Sequence, residues 1–289
     1  MKWGSGRRSD NVEDDRGAGG GSSLGGGIGR LGLGGVAAVV VISLLLGKNP
    51  IEMLNVVSQI AGGVAPTTQQ APASNDRDAD FVRAVLGETE DVWGDLFQDA
   101  GKTYEQPKLI LFSGSVSTAC GGATAASGPF YCPGDHQVYI DLSFFGEMKA
   151  RLGGGGDFAN AYVIAHEVGH HVQALLGVSE KVEQARRRGQ PVKGASGLSV
   201  RQELQADCFA GVWAHHAQQK LSWMEDGDIE SALNTATAIG DDRLQKQTQG
   251  TVVPDAFTHG SSEERVRWFR SGFESGDPGR CDTFSAKSL

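Results

Sequence analysis

Basic residues are what this sequence most clearly lacks: 26 lysines and arginines stand against 35 acidic residues, a formal net charge of -9. A chain so balanced has no positive surface excess to hold a phosphate backbone, which excludes nucleic acid as a partner. Cysteine is sparse as well, with only Cys120, Cys132, Cys208 and Cys281, and no two of them have the C-x-x-C spacing of a zinc ribbon. A cysteine-ligated metal site is therefore disfavoured. Two disulfides are possible, and Cys120 and Cys132 bracket the short, glycine- and alanine-rich GGATAASGPFY. Cys120–Cys132 and Cys208–Cys281 are the pairs expected in an oxidising compartment, although spacing does not fix the pairing and four buried thiols are the alternative. No internal repeat is present, so a solenoid is excluded.

Glycine, by contrast, is abundant, with 42 in 289 residues, many of them near the N-terminus. Residues 1–30 are polar and glycine-rich, with too few apolar side chains to build a core, and read as a disordered cytoplasmic tail. From Leu31 to Gly47 the sequence LGLGGVAAVVVISLLLG carries no charge and is bounded by Arg30 and Lys48. With Ile28 and Gly29 it approaches the length of a tilted transmembrane helix. No small-x-small cleavage site follows closely, which favours an anchor over a signal peptide. Lys2, Arg7, Arg8, Arg16 and Arg30 precede the span and only Lys48 follows it closely, so the expected orientation keeps the N-terminus in the cytoplasm of a bacterial cell. The remainder would lie outside, periplasmic or extracellular, with the lipid bilayer contacted through one helix. Residues 48–75, ending in GGVAPTTQQAPASN, read as a linker, and 76–289 as the folded domain.

Within that domain, apolar residues recur at helical spacing between Phe81 and Phe97, and KLILF (108–112) and QVYID (137–141) read as strands. Helical patterns dominate thereafter. NAYVIAHEVGHHVQALL (160–176) is one such helix, with Gly177 placed to stop it. His166 and His170 lie four apart and so share a face at a spacing suited to two tetrahedral zinc positions, while Glu167 sits one step round, placed to take a proton from a zinc-activated water. The helix is apolar around them, and Gly169, which costs about 1 kcal/mol relative to alanine, makes sense where another element approaches closely.

A catalytic zinc needs a third protein ligand. The arrangement with a third histidine two turns on is ruled out, because Gln173 and Leu176 stand where glycine and histidine would be needed. Downstream, Ser199 and Gln202 have capping-box spacing, so a helix is expected to start there and to place Glu203 and Asp207 on one face. Two carboxylates at that spacing repel unless a positive partner lies beside them. Glu203 is assigned as the third ligand and Asp207 as the acceptor for the far nitrogen of a ligating histidine; the competing reading is two solvated carboxylates near Arg201.

H-E-x-x-H followed by ELQAD resembles the glutamate-ligated zincins, and specifically the bacterial putative neutral zinc metallopeptidase family. The likeness covers nearly the whole chain: GRRSDNVEDDRG, the apolar anchor, ACGGA…GPFYCPGDHQVYIDLSFF, AHEVGHHVQ, RQELQADCFAGVW and THGSSEERVRWF. It implies an α+β zincin-like domain, mostly helical with a small sheet, holding Zn2+ and acting on a peptide or protein substrate. It also draws attention to His259, just before a helix that Ser261 and Glu264 are spaced to cap. By likeness to the CAAX prenyl protease group, His259 would bind the oxyanion of a tetrahedral intermediate and Arg265 would support it; a loop histidine and a surface arginine are the plainer alternative.

The remaining histidines, His136, His171, His215 and His216, read as structural. QVYID is the expected edge strand on which a substrate would pair, with an ordinary structural strand as its alternative. The reaction expected is peptide-bond hydrolysis by zinc-activated water with Glu167 as general base. The rivals are a membrane-anchored, zinc-stabilised interaction module without catalysis, and a hydrolase of another amide such as a cell-wall crosslink.

Overall fold

The computed structural model describes residues 1–17, 76–151 and 155–289. The apolar spacing read from Phe81 onward becomes helix α1 (Arg77–Asp99), started by Asp76, whose carboxylate accepts from the Asp78 and Ala79 amides. Seven helices follow: α2 (Ser143–Arg151), α3 (Asp157–Leu175), α4 (Val178–Arg187), α5 (Leu198–Leu221), α6 (Asp228–Ala238), α7 (Asp241–Gln249) and α8 (Ser262–Ser275). Six short strands complete the set: β1 (Val12–Asp14), β2 (Lys108–Phe112), β3 (Ser115–Thr118), β4 (Gly121–Thr124), β5 (Phe130–Cys132) and β6 (Gln137–Asp141). The expected class, mostly helical α+β with a small sheet, is what the chain adopts.

The sheet runs β1-β2-β6-β5, parallel across the first three strands and antiparallel between β6 and β5, with Leu109 opposite Val138 and Tyr131 opposite Val138 on its other side. QVYID is therefore an internal strand, paired on both sides, and not the edge that its sequence suggested. The edge nearest α3 is β5, a three-residue strand too short to announce itself by alternation. β3 and β4 form a separate hairpin, and the Cys120–Cys132 disulfide ties its turn to β5.

KLILF is buried on both faces. Leu109 and Leu111 join the main core with Val85, Leu86, Trp93, Phe158 and Val168, while Ile110 and Phe112 join a smaller cluster with Tyr139. At about 1.5–3 kcal/mol for each large apolar side chain fully buried, this packing holds α1, α3 and α5 against the sheet. The helix-spacing argument at Gly169 is met: a Cβ there would lie 3.0 Å from the Ala206 carbonyl oxygen, so α5 crosses α3 at that point. Helices α5 and α8 approach even more closely, since a Cβ on Gly272 would fall 1.9 Å from the Cys208 carbonyl oxygen. The second disulfide, Cys208–Cys281, closes the chain just beyond that contact.

One local expectation changes. Helix α5 begins at Leu198 with Gly197 at its N-cap, so Ser199 and Gln202 do not form the cap. The Gly197 backbone packs against Val192 and Lys193 so tightly that a Cβ would meet the Val192 oxygen at 2.4 Å, and this contact sets the start.

The larger correction concerns residues 1–17, expected to be part of a disordered tail. They cross α1 and add β1 to the sheet, with Val12 opposite Leu109. Burial here is polar: Ser9 Oγ and Asn11 Nδ2 donate to Glu90 Oε1 at 2.6 and 2.7 Å, and Arg7 Nη2 to Glu90 Oε2 at 2.6 Å. Low hydrophobicity thus hid a segment ordered by charge-assisted hydrogen bonds. The expected membrane helix at 31–47 and the linker at 48–75 lie outside the described residues; among the described residues no helix is long and apolar enough to cross a membrane.

Candidate metal centre

α3 and α5 cross with His166, His170 and Glu203 facing one another. Their ligand atoms all lie within 4.8 Å. Glu203 Oε2 is 3.2 Å from His166 Nε2 and 3.5 Å from His170 Nε2. Tetrahedral zinc with bonds of about 2.0–2.2 Å holds its donors about 3.3–3.6 Å apart, so the two Glu203 separations lie close to that spacing, within a group that spans up to 4.8 Å.

The outer nitrogens explain why both Nε2 atoms point inward. His166 Nδ1 lies 2.9 Å from Asp207 Oδ1, one helical turn beyond Glu203, as the shared face of α5 requires. His170 Nδ1 lies 2.9 Å from Gln173 Oε1, and Gln173 is itself fixed through its amide nitrogen to the Gln202 carbonyl oxygen at 2.7 Å. Each ring therefore turns its Nδ1 outward to an oxygen acceptor and its Nε2 inward toward the donor group.

Asp207 is fully buried and shared. Its Oδ1 also accepts from Tyr162 Oη at 2.5 Å and Arg265 Nη2 at 2.9 Å, and its Oδ2 from Arg265 Nε at 2.8 Å. Arg265 is thus a buried partner of Asp207, and its fork is engaged there and not with His259. Burial alone would raise the Asp207 carboxyl; Arg265 and His166 overcome it and hold it down at about 2. Burial likewise opposes ionisation of Glu203, but the two histidines hold it well below the carboxylate range.

Glu167 is 8 % exposed and belongs to neither set. Burial pushes its carboxyl up, with the two histidines opposing, and it accepts a backbone hydrogen bond from Tyr131 on β5. Burial opposes protonation of the two imidazoles, but Asp207 and Glu203 push His166 up to about 10 and Glu203 raises His170, so the buried carboxylates favour positive charge at the donor group.

The donors open into a cleft of about 390 Å³, walled by Phe130, Phe144, Val163, Ile239 and Leu244 and reached by His259. Ser261 and Glu264 form the expected capping box at the start of α8. His259, 51 % exposed on its side chain, is held from behind by Asp241, 3.3 Å from Nδ1. Three of the other histidines are held by backbone carbonyls, His171 by that of Glu105 at 2.6 Å, His215 by that of Phe273 at 2.7 Å and His216 by that of Gly276 at 2.9 Å, and His136 lies in the turn before β6.

Tyr162, Gln173, Tyr131 and Asp241 escaped the sequence reading. Tyr162 and Gln173 stood at helical spacing from the motif histidines, four before His166 and three after His170. Nothing local marked Asp241.

The profile of the putative neutral zinc metallopeptidase family matches residues 1–284. The chain belongs to that family. Similar to this metallopeptidase-family chain is the uncharacterized protein YpfJ of Escherichia coli, 50% identical over 286 residues, 98% of this chain and 99% of that protein. Another relative is the uncharacterized protein Rv2575 of Mycobacterium tuberculosis, 48% identical over 196 residues, covering 64% of this chain and 65% of that one. No solved structure matches the chain.

Proposed function

We propose that this family member is a zinc-dependent peptidase of zincin type, cutting internal bonds of extended peptides. The observation that carries this reading is Glu167: a buried carboxylate beside the donor set, outside it, and facing the cleft. A zinc ion on His166, His170 and Glu203 would supply Lewis acidity to a substrate carbonyl and lower the pKa of water. Glu167 takes the proton of the attacking water and passes it to the leaving amine; the burial that pushes its carboxyl up suits a group that must both accept and return a proton. His259, at the rim, donates a hydrogen bond to the oxyanion.

Among the described residues β5 is the outer strand of the sheet and its Phe130 and Tyr131 line the cleft, so an extended backbone pairs there and sends a side chain against Phe130, Phe144 and Val163. This wall suits a bulky apolar residue next to the scissile bond. Among the described residues, apart from the site's own histidines, glutamates and Arg265, the lining carries no charged side chain to bind a terminal amine or carboxylate, which supports internal cleavage.

A purely structural zinc site would be closed by a fourth protein ligand, and among the described residues the donor group has three members. Two disulfides support placement of the domain in an oxidising compartment.

Zinc-loaded and chelator-stripped protein should be incubated with an unbiased peptide library and with cell-wall fragments. Cleavage of peptides next to apolar residues, lost on stripping and restored by zinc, is the expected result. Cleavage of the cell-wall fragments alone would replace the peptidase with the other amide hydrolase.

A further inference from the structure

We propose that Asp241 is the positioning residue for His259, a role that rests on the peptidase reading given above. Asp241 is the first residue of α7, where a carboxylate ordinarily turns back to its own helix amides. Here its Oδ2 receives three amides from a different segment: Thr258 and His259 at 2.6 Å each and Gly260 at 3.1 Å. The Asp241 amide in turn donates to the Gly260 carbonyl oxygen at 2.9 Å. Its other oxygen lies 3.3 Å from His259 Nδ1.

One carboxylate therefore fixes both the backbone that carries the imidazole and the ring's orientation. With Nδ1 turned to Asp241 and to Thr258 Oγ1 at 2.9 Å, Nε2 is the nitrogen left for the cleft. Next to it, Asp242 Oδ1 accepts from the Ser262 amide and hydroxyl at 2.7 and 2.8 Å, so the start of α7 grips the start of α8 at two adjacent points. Asp241 is 8 % exposed, and burial without such partners would be costly for a carboxylate. It is neither a member of the donor group nor one of the residues lining the cleft, and acts through His259.

The full chain, zinc-loaded, should be compared as wild type, Asp241→Asn, Asp241→Ala, His259→Ala and the double variant Asp241→Asn/His259→Ala. Asp241→Asn is expected to keep its zinc and to lose kcat by about tenfold with KM changed less than about twofold. In the His259→Ala background the same change should alter kcat by less than about twofold, because its effect passes through the ring. Amide exchange at residues 258–260 should speed up by about tenfold or more in Asp241→Ala. Losses that multiply in the double variant, or exchange at 258–260 identical to wild type, overturn the proposal. If the wild type cleaves nothing, the peptidase reading fails, while the exchange measurement still decides what Asp241 holds.

A separate observation carries a second inference. Three of the basic residues that suggested a cytoplasmic N-terminus are engaged by the folded unit: Arg7 pairs with Glu90 and Asp91, Arg8 with Asp80, and Arg16 with Asp14 and Asp76. The Met1 amine lies 2.7 Å from Glu225, Trp3 Nε1 donates to Asp157 at 2.8 Å, and a Cβ on Gly87 would meet the Arg7 carbonyl oxygen at 2.8 Å. Residues 1–16 are one strand and one face of the same folded unit as 76–289, and a bilayer cannot divide such a unit. We infer that both parts lie on one side of any membrane.

Lys2 and Lys102 are both exposed. A membrane-impermeant lysine reagent applied to intact spheroplasts should label both, or neither until lysis. Labelling of one with the other protected would contradict the inference.

Discussion

His166 Nδ1 and Asp207 Oδ1 lie 2.9 Å apart, and the same aspartate is gripped by Arg265 and Tyr162. The metal-facing nitrogen is thus oriented from a buried carboxylate on the crossing helix, which α8 supports in turn. Asp207→Asn keeps the shape but loses the charge that favours an Nδ1 proton. Zinc affinity should fall by about 10–100-fold, read by competition with a chromophoric chelator, while the helical circular dichroism stays the same.

Glu203→Gln removes the anionic donor and leaves two histidines. The purified variant should carry little zinc after dialysis against a weak chelator, whereas the wild type stays near one equivalent; elemental analysis makes the comparison.

Glu88 is a buried carboxyl 3 % exposed, with Oε1 lacking a hydrogen-bond partner. Burial pushes it up to about 7 from an ordinary 4.5, with Lys220 opposing and Asp91 adding. The folded state therefore binds the proton more tightly than the unfolded chain does. Its contribution to stability is fully present below pH 4.5 and is lost as pH rises through 7. Glu88→Gln should stabilise the protein at pH 8 by about 2–3 kcal/mol and change little at pH 4, as read from urea midpoints.

Cys208–Cys281 spans 73 residues and joins α5 to the segment after α8. Replacing both cysteines by alanine should lower stability by about 4 kcal/mol on the loop-entropy estimate. Because α8 carries Arg265, partly denaturing conditions should release zinc from the variant before the wild type.

Much of the site was legible because helices repeat. H-E-x-x-H and ELQAD each place their groups on one face, and Gly169 marked the crossing that brings the two faces together. The cap at Ser199 misled, since Gly197 is held by packing against residues distant in neither sequence nor space, and packing decided the start. The edge strand was misassigned because β5 is three residues long while QVYID has the length and alternation of a strand. Asp241 was invisible, as its partners lie about 18 residues further on in an irregular segment. The first 16 residues were misread for a different reason: their burial is made of arginine, serine and asparagine on Glu90, Asp80 and Asp76, which composition scores as solvent-loving.

The account turns on Glu167 as the proton carrier, and the decisive measurement is peptidase activity and zinc content of Glu167→Gln beside wild type. Glutamine preserves the size and the Tyr131 hydrogen bond but cannot take the proton. The variant is predicted to hold zinc as the wild type does and to lose activity by about 10²–10⁴-fold. A zinc-loaded variant that cleaves at the wild-type rate would contradict the account.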